Sequence, residues 1–367
     1  MAGVTIHDAE KAWQGYTLYC ETFPERQRDG DAEATIYLID MNGEPVHRWP
    51  VATTLQSYCR LLPDGNLIYP THDRSEVARG EASQRELDPA GEVDRSYRCR
   101  TDHDFQVLDG GSILVHTITE SMCPPLGPEL TRHPYMVEAT RDKRLVWEWR
   151  GEQHLAELEQ LLGPQRWAHV MDRATGQFAF DWAHNNTLQV IGPNAAWDAE
   201  RAAGSEGRFR PGNIVFSYRS CDVIGVIERP SGRIVWAWGP GEIDGQHKPH
   251  MLPNGRLLIF DNGPLRGHSR VIELDPLTER IEWEYTAEPK EGFFSPYISG
   301  AQRLPNGNTL ICEGGKARLF EVTADGEVVW DFVNPYHSPA ARPSIYRCLR
   351  YAPDYCQPLL RRAAGGR

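Results

Sequence analysis

The chain has 367 residues, 40% apolar and 25% charged, which is enough for a sizeable core and unlike a disordered polymer. Its net charge of −12 argues against long-range attraction to nucleic acid or an anionic membrane, and no run reaches the roughly 18 apolar residues of a membrane span. The opening stretch MAGVTIHDAEKAWQGY has neither a basic n-region nor an apolar h-region, so a cytoplasmic location is expected. Eight cysteines, at 20, 59, 99, 123, 221, 312, 348 and 356, form no C-x-x-C pair and read as reduced thiols.

In chain order, strands are predicted near 16–23, 35–40 and 45–50, and then a repeat takes over. Hairpins with Asp-Gly or Asn-Gly turns, which tolerate positive φ, fall at LLPDGNLIY (61–69), VLDGGSILV (107–115), MLPNGRLLI (251–259) and RLPNGNTLI (303–311). GNIVFSY (212–218) is the second arm of a further copy, with a longer loop from Gly192 to Pro211 in place of the turn. Short alternating strands close on Trp49, Tyr97, Trp149, Trp238, Tyr285 and Phe332, with gaps of 48, 52, 89, 47 and 47 residues. A period of about 45 residues suits four-stranded blades. The expected fold is therefore all-β, one six-bladed β-propeller over residues 1–367.

The gap of 89 holds HLAELEQLL (154–162), whose leucines lie on one helix face, so 151–175 is expected to be a short helical insertion over one rim and a candidate lid. The C-terminal SIYRCLRYAPDY adds a strand with no blade after it, which is expected to complete the N-terminal blade and close the ring. Trp147, Trp236, Trp283 and Trp330 recur at one repeat position and are assigned to inter-blade packing.

Aligning the hairpins on their turns brings distant polar residues to one mouth of the central channel. His103, His184 and His247 start first strands, while His72, Arg219 and Asn262 end second strands. Convergent polar groups of this kind mark a candidate site. His250, three residues beyond His247, is expected on the opposite strand face in a structural role. His7, His47, His133, His268 and His337 are expected to be solvated, and His116 to line the channel or pack. His154 and His169 reach the mouth only if the insertion folds over it.

HDFQVL (103–108), DWAHNN (181–186), SYR (217–219), GQHKPHMLPNGRLLIFDNG (245–263), SPYISGAQRLPNGNTLI (295–311) and YRCLRYAPDY (346–355) together resemble the bacterial arylsulfotransferase family, whose members are six-bladed propellers. The resemblance implies transfer of a sulfuryl group from an aryl sulfate to a phenol through a histidine intermediate, with no cofactor. It makes His247 the nucleophile, with His103, His184, Asn186 and Arg219 beside it. The residue types suit that chemistry. Arg219 offers a planar fork of donors to the sulfuryl oxygens, Asn186 an amide donor, and a second imidazole, His103 or His184, proton transfer. The substrate expected is a small aromatic or anionic molecule; neither nucleic acid nor a membrane is expected as a partner.

Two further readings stay open. In one, His72, His103, His184 and His247 hold one divalent metal ion, with Glu120 or Asp261 as an oxygen ligand, in a lyase or hydrolase. In the other, the propeller is a non-catalytic binding module.

Overall fold

The tight-turn signals fold as the repeat requires. Gly65, Gly111, Gly255 and Gly307 all adopt positive φ, between 78° and 90°. Their N–H groups donate to the carbonyls of Leu62, Leu108, Leu252 and Leu304, three residues back. Each turn thereby sets the register of the two strands it joins.

The computed structural model describes residues 3–21, 34–51, 53–72, 83–99, 101–205, 207–336 and 343–365. It divides the chain into two compact units, residues 1–101 with 297–367, and residues 102–296. Each unit carries three antiparallel sheets, and the fold class is all-β, a six-bladed β-propeller.

In the first unit, blade 1 takes its first strand from Ile345–Tyr351, followed by Tyr16–Glu21, Ala34–Ile39 and Pro45–Val51. The register runs from Tyr16 opposite Tyr351 to Glu21 opposite Ile345. Blade 2 centres on Leu67–His72, Ser83–Leu87 and Val93–Arg98, with two short segments, Thr54–Leu55 and Arg60–Leu61, pairing to Leu67–His72. Blade 6 runs from Gly300–Arg303 through Thr309–Glu313 and Arg318–Val322 to Val328–Val333. It gains a fifth strand, Gly3–His7, which the sequence pattern does not announce because GVTIH is short and its strand half-exposed.

The second unit holds blades 3, 4 and 5. Their first strands are Phe105–Val107, Asn185–Val190 and His247–Met251, and their second strands Ile113–Met122, Ile214–Tyr218 and Leu257–Asp261. All six closing aromatics are buried. The tryptophans also fasten neighbouring blades: Trp147 Nε1 donates to Arg229 O at 3.1 Å and Trp330 Nε1 to Met41 O at 2.8 Å. Truncating such a buried aromatic to alanine typically costs about 3–5 kcal/mol.

The helices depart most from the sequence pattern. The insertion occupies Gly151–Thr175. A 3₁₀ turn at Gly151–His154 leads into α1, Leu155–Thr175, which breaks at Gly163 (φ 72°) just before Pro164. It buries Leu155, Leu158, Leu162, Val170 and Ala174. The stretch expected to be a loop after Gly192 contains α2, Ala195–Ala202, capped by Asn194, whose side chain accepts the N–H of Trp197 at 2.8 Å. A third helix, α3 at Gln357–Gly365, packs against the blade 2 turn, where a side chain on Gly65 would meet the Leu359 backbone at 2.6 Å. No described helix is long and apolar enough to cross a membrane.

Candidate active site

Blades 3, 4 and 5 carry the sequence-predicted residues of the second unit. The turns at Leu108, Ile191 and Leu252 are closed by the same backbone bonds, so they are equivalent points of the repeat. Five residues before them stand His103, Asn186 and His247. His184 therefore does not occupy the repeat position of the other two histidines; it precedes it by two residues.

His103 and His184 meet directly. Their rings pack edge to face, centroids 4.6 Å apart. Each is oriented by a carboxylate that the sequence reading passed over. Asp102 Oδ2 lies 2.9 Å from His103 Nδ1, and Asp181 Oδ2 2.6 Å from His184 Nδ1. The signal was present as Asp-His and Asp-x-x-His. His116, fully buried, places Nδ1 2.7 Å from the Asp102 carbonyl and 3.8 Å from its carboxylate.

Charge follows from this packing. Burial works against ionised Asp102, but the charge of and hydrogen bond to His103, with His116 and His184 behind them, outweigh it and hold the carboxyl well below the usual range. Asp181 behaves alike: burial opposes ionisation and the hydrogen bond to His184 overcomes it. Burial, then the neighbouring His103 and, more weakly, Arg219, press the proton affinity of His184 down. Burial does the same to His116. Arg219 opens the 3₁₀ turn Arg219–Cys221 at the end of its strand, and its backbone N–H points to the His184 carbonyl at 3.4 Å.

His247 is buried and differently held. Its Nδ1 lies 2.7 Å from Asn262 Oδ1 and 3.2 Å from the Gly245 carbonyl. Asn262 Nδ2 in turn donates to Ser295 O at 2.7 Å, which fixes the amide with its oxygen toward the imidazole. Two acceptors at Nδ1 place the proton there and the lone pair on Nε2. Asn262, expected to touch substrate, faces the His247 ring.

The start of blade 5 is tied to its neighbours. Asn186 Nδ2 donates to the Gln246 carbonyl at 2.8 Å, so the amide expected to contact substrate tethers a backbone segment. Lys248 Nζ reaches the fully buried Asp104 at 2.9 Å, linking blades 5 and 3. Lys248, His103 and His184 are three of nine non-glycine residues with positive φ in the described chain, and Asp222, next to the Arg219 turn, is a fourth. Such outliers concentrate at functional sites because they cost energy that surrounding structure must offset.

The left-handed Lys248 also corrects the placement of His250. It forms a bulge, so His247 pairs with Phe260 and His250 with Leu258. Those partners share a face of their strand, so the extra residue cancels the alternation expected of a regular strand. His250 Nδ1 lies 3.1 Å from the Lys248 carbonyl. In the repeat, His250 stands where other blades carry glutamine. Gln106, Gln189 and Gln302 each accept a backbone N–H from the next blade's first strand, at Val190, Met251 and Arg350.

Other expectations fare unevenly. His72 ends a strand of the first unit, and its side chain lies outside the described residues. His133, expected to be solvated, is buried between Ser121 O and the indole N–H of Trp182. His337 lies outside the described residues. Glu120 pairs with Arg132, and Asp261 with Arg266 and Arg270, so neither stands as an oxygen ligand beside the histidines. Among the described residues the group able to close round a metal ion is Asp102, His103 and His116, within 4.8 Å of one another; the expected set of four histidines includes His72, whose side chain lies outside them. His116 Nδ1, at 2.7 Å from a carbonyl, is the donor of that ring, so Nε2 is its lone-pair nitrogen.

The sequence pattern of a family described as Arylsulfotransferase (ASST) matches residues 65–335. No curated protein matches the chain. Among solved structures, a protein of unknown function from Bacteroides caccae superimposes with a TM-score of 0.55 at 14% identity, over 92% of this chain and 99% of its own, a likeness of fold. The Cps50 (Swd1) β-propeller domain of Myceliophteria thermophila gives a TM-score of 0.46 at 11% identity, covering 90% of each chain. Virginiamycin B lyase from Staphylococcus aureus gives 0.41 at 14% identity, over 78% of this chain and 71% of its own.

Proposed function

The chain belongs to the arylsulfotransferase family, and from that premise we propose that it moves a sulfuryl group from an aryl sulfate to a phenolic acceptor through a covalent intermediate on His247. The observation that carries this reading is the setting of His247. Two neutral acceptors hold its Nδ1 proton, so the neutral imidazole carries its lone pair on Nε2, the nucleophilic nitrogen. His103, beside the carboxylate of Asp102, suits the opposite task, since a carboxylate stabilises the imidazolium form.

In the first half-reaction, His247 Nε2 bonds to sulfur as the S–O bond to the aryl group breaks, and His103 gives a proton to the departing phenolate. In the second half, neutral His103 removes the acceptor phenol's proton, the phenolate oxygen attacks sulfur, and the N–S bond breaks. Both residues return to their starting states, and the two steps give ping-pong kinetics. Arg219 stands as the anion donor to the sulfuryl oxygens, a role in which its fork of N–H groups outperforms a point charge.

The test is incubation with p-nitrophenyl sulfate and a phenol, followed by acid-free quenching and mass spectrometry. A sulfuryl adduct on His247, lost on adding acceptor, is expected. Arg219→Lys should lower kcat/KM by about 10²-fold. Absence of transfer from any aryl sulfate, with an activity that chelation removes and added metal restores, would replace this reading by the metal-dependent one.

A further inference from the structure

The helical insertion meets the site at a buried carboxylate. Asp222 follows the turn that carries Arg219 and adopts the left-handed region at φ 57°. Its Oδ1 accepts the N–H of Gly245 at 2.8 Å. The carbonyl of that same Gly245 is one of the two acceptors at His247 Nδ1. Its Oδ2 faces α1, with His169 Nε2 at 2.9 Å and Arg173 Nη1 at 3.5 Å. Arg173 Nε also donates to the Ser220 carbonyl at 2.6 Å, and the Ser220 N–H donates back to Ala183 O, next to His184.

We propose that Asp222 is a positioning residue for His247, and that α1 is a fixed brace for Asp222, not a lid over the mouth. The proposal rests on the functional reading above for its kinetic consequence, but not for its geometry. The carboxylate has one oxygen for each side: one holds the Asp244–Gly245 peptide, which adjoins the Gly245–Gln246 peptide whose carbonyl faces the His247 ring, and the other is anchored by two basic side chains of the insertion. Releasing either end frees the dihedrals of Gly245, so that the carbonyl shifts and the imidazole loses its set direction. A displacement of about 1 Å at a reacting atom is enough to cost about 10²-fold in rate.

The experiment compares Asp222→Ala, Asp222→Asn and the double variant His169→Ala/Arg173→Ala, using p-nitrophenyl sulfate turnover and nitrogen-15 spectra of histidine-labelled protein, with His247→Gln to assign the ring. Asp222→Ala should lower kcat by about 30–100-fold with KM changed less than about threefold. Asp222→Asn keeps an oxygen for the Gly245 N–H and should stay within about fivefold of the parent. The double variant should lose about 5–10-fold in kcat. In Asp222→Ala the His247 signal should pass from a fixed Nδ1–H tautomer to an averaged one. If Asp222→Ala does not fold, the double variant, which keeps the carboxylate, decides by the same two readouts. Parent-like kcat and an unchanged His247 signal in the folded variants would overturn the proposal. A parent protein that transfers no sulfuryl group would overturn the functional reading alone, since the ring signal still reports on positioning.

Discussion

Blades 3 and 5 place a histidine at the same point of the repeat and give it opposite surroundings. His103 and His247 each stand five residues before the leucine that closes the hairpin. His103 has a carboxylate at 2.9 Å; His247 has an amide oxygen and a carbonyl. A carboxylate favours the imidazolium, whereas neutral acceptors fix a tautomer without favouring charge. The following residues, Asp104 and Lys248, are also equivalent and bond to each other across the unit. Repeat position thus decides where a residue sits, and its partner decides what chemistry it can perform.

The sharpest way to break this comparison is to delete the two rings in turn. His247→Ala should remove transfer by about 10⁴-fold or more whatever the aryl sulfate, because no covalent step remains. His103→Ala should cost about 10²–10³-fold with an unactivated phenol sulfate and much less with p-nitrophenyl sulfate, whose leaving group needs little protonation. Equal losses across leaving groups would erase the distinction. Removing the charge instead of the ring, Asp102→Asn should lower kcat by about 10²-fold and move the pH profile, while Asn262→Asp should do more to pH dependence than to folding.

The link between the blades can be cut through Lys248→Met, which leaves Asp104 buried opposite an apolar side chain. Asp104 keeps the Leu188 N–H at 3.0 Å, so a loss of about 3 kcal/mol in urea unfolding is expected, at the low end for a broken buried pair. Acid should weaken the fold in a defined window. His116 and His184 bind protons less readily when folded than unfolded, so the unfolded chain takes up more protons as pH falls below about 6.5 and stability declines. Asp102 and Asp181, held low, add their loss only below about pH 4. His116→Gln should flatten the decline between pH 7 and 5.5 in denaturant titrations. The smallest effect belongs to His250→Gln, which restores the residue other blades carry there. Stability should change by less than about 1 kcal/mol and kcat by less than about twofold.

How much of this was legible varies by element. The Asp-Gly and Asn-Gly turns and buried closing aromatics announce the blades because both are local, repeated requirements of one fold. Gly192–Pro211 hid α2, since flanking glycine and proline read as loop; the capping Asn194 was the available sign. Among site residues, histidines and Arg219 stood out by type. Asp102, Asp181 and Asp222 did not, because an aspartate is ordinarily a solvated turn residue until packing gives it a histidine to orient. The face of His250 was misread because a bulge arises from one residue's φ, which strand periodicity does not encode.

Blade 1 has a consequence for how the chain is made. Its strand Tyr16–Glu21 is synthesised more than three hundred residues before its neighbour Ile345–Tyr351. At ordinary translation speeds of about 5–20 residues per second, that strand edge waits roughly 20–60 s on the ribosome for its partner. Its exposed backbone is open to mispairing with other nascent chains throughout that interval. Expression yield should therefore depend on chaperone supply and on synonymous codon choice between the two strands, even where the finished protein's stability is unaltered.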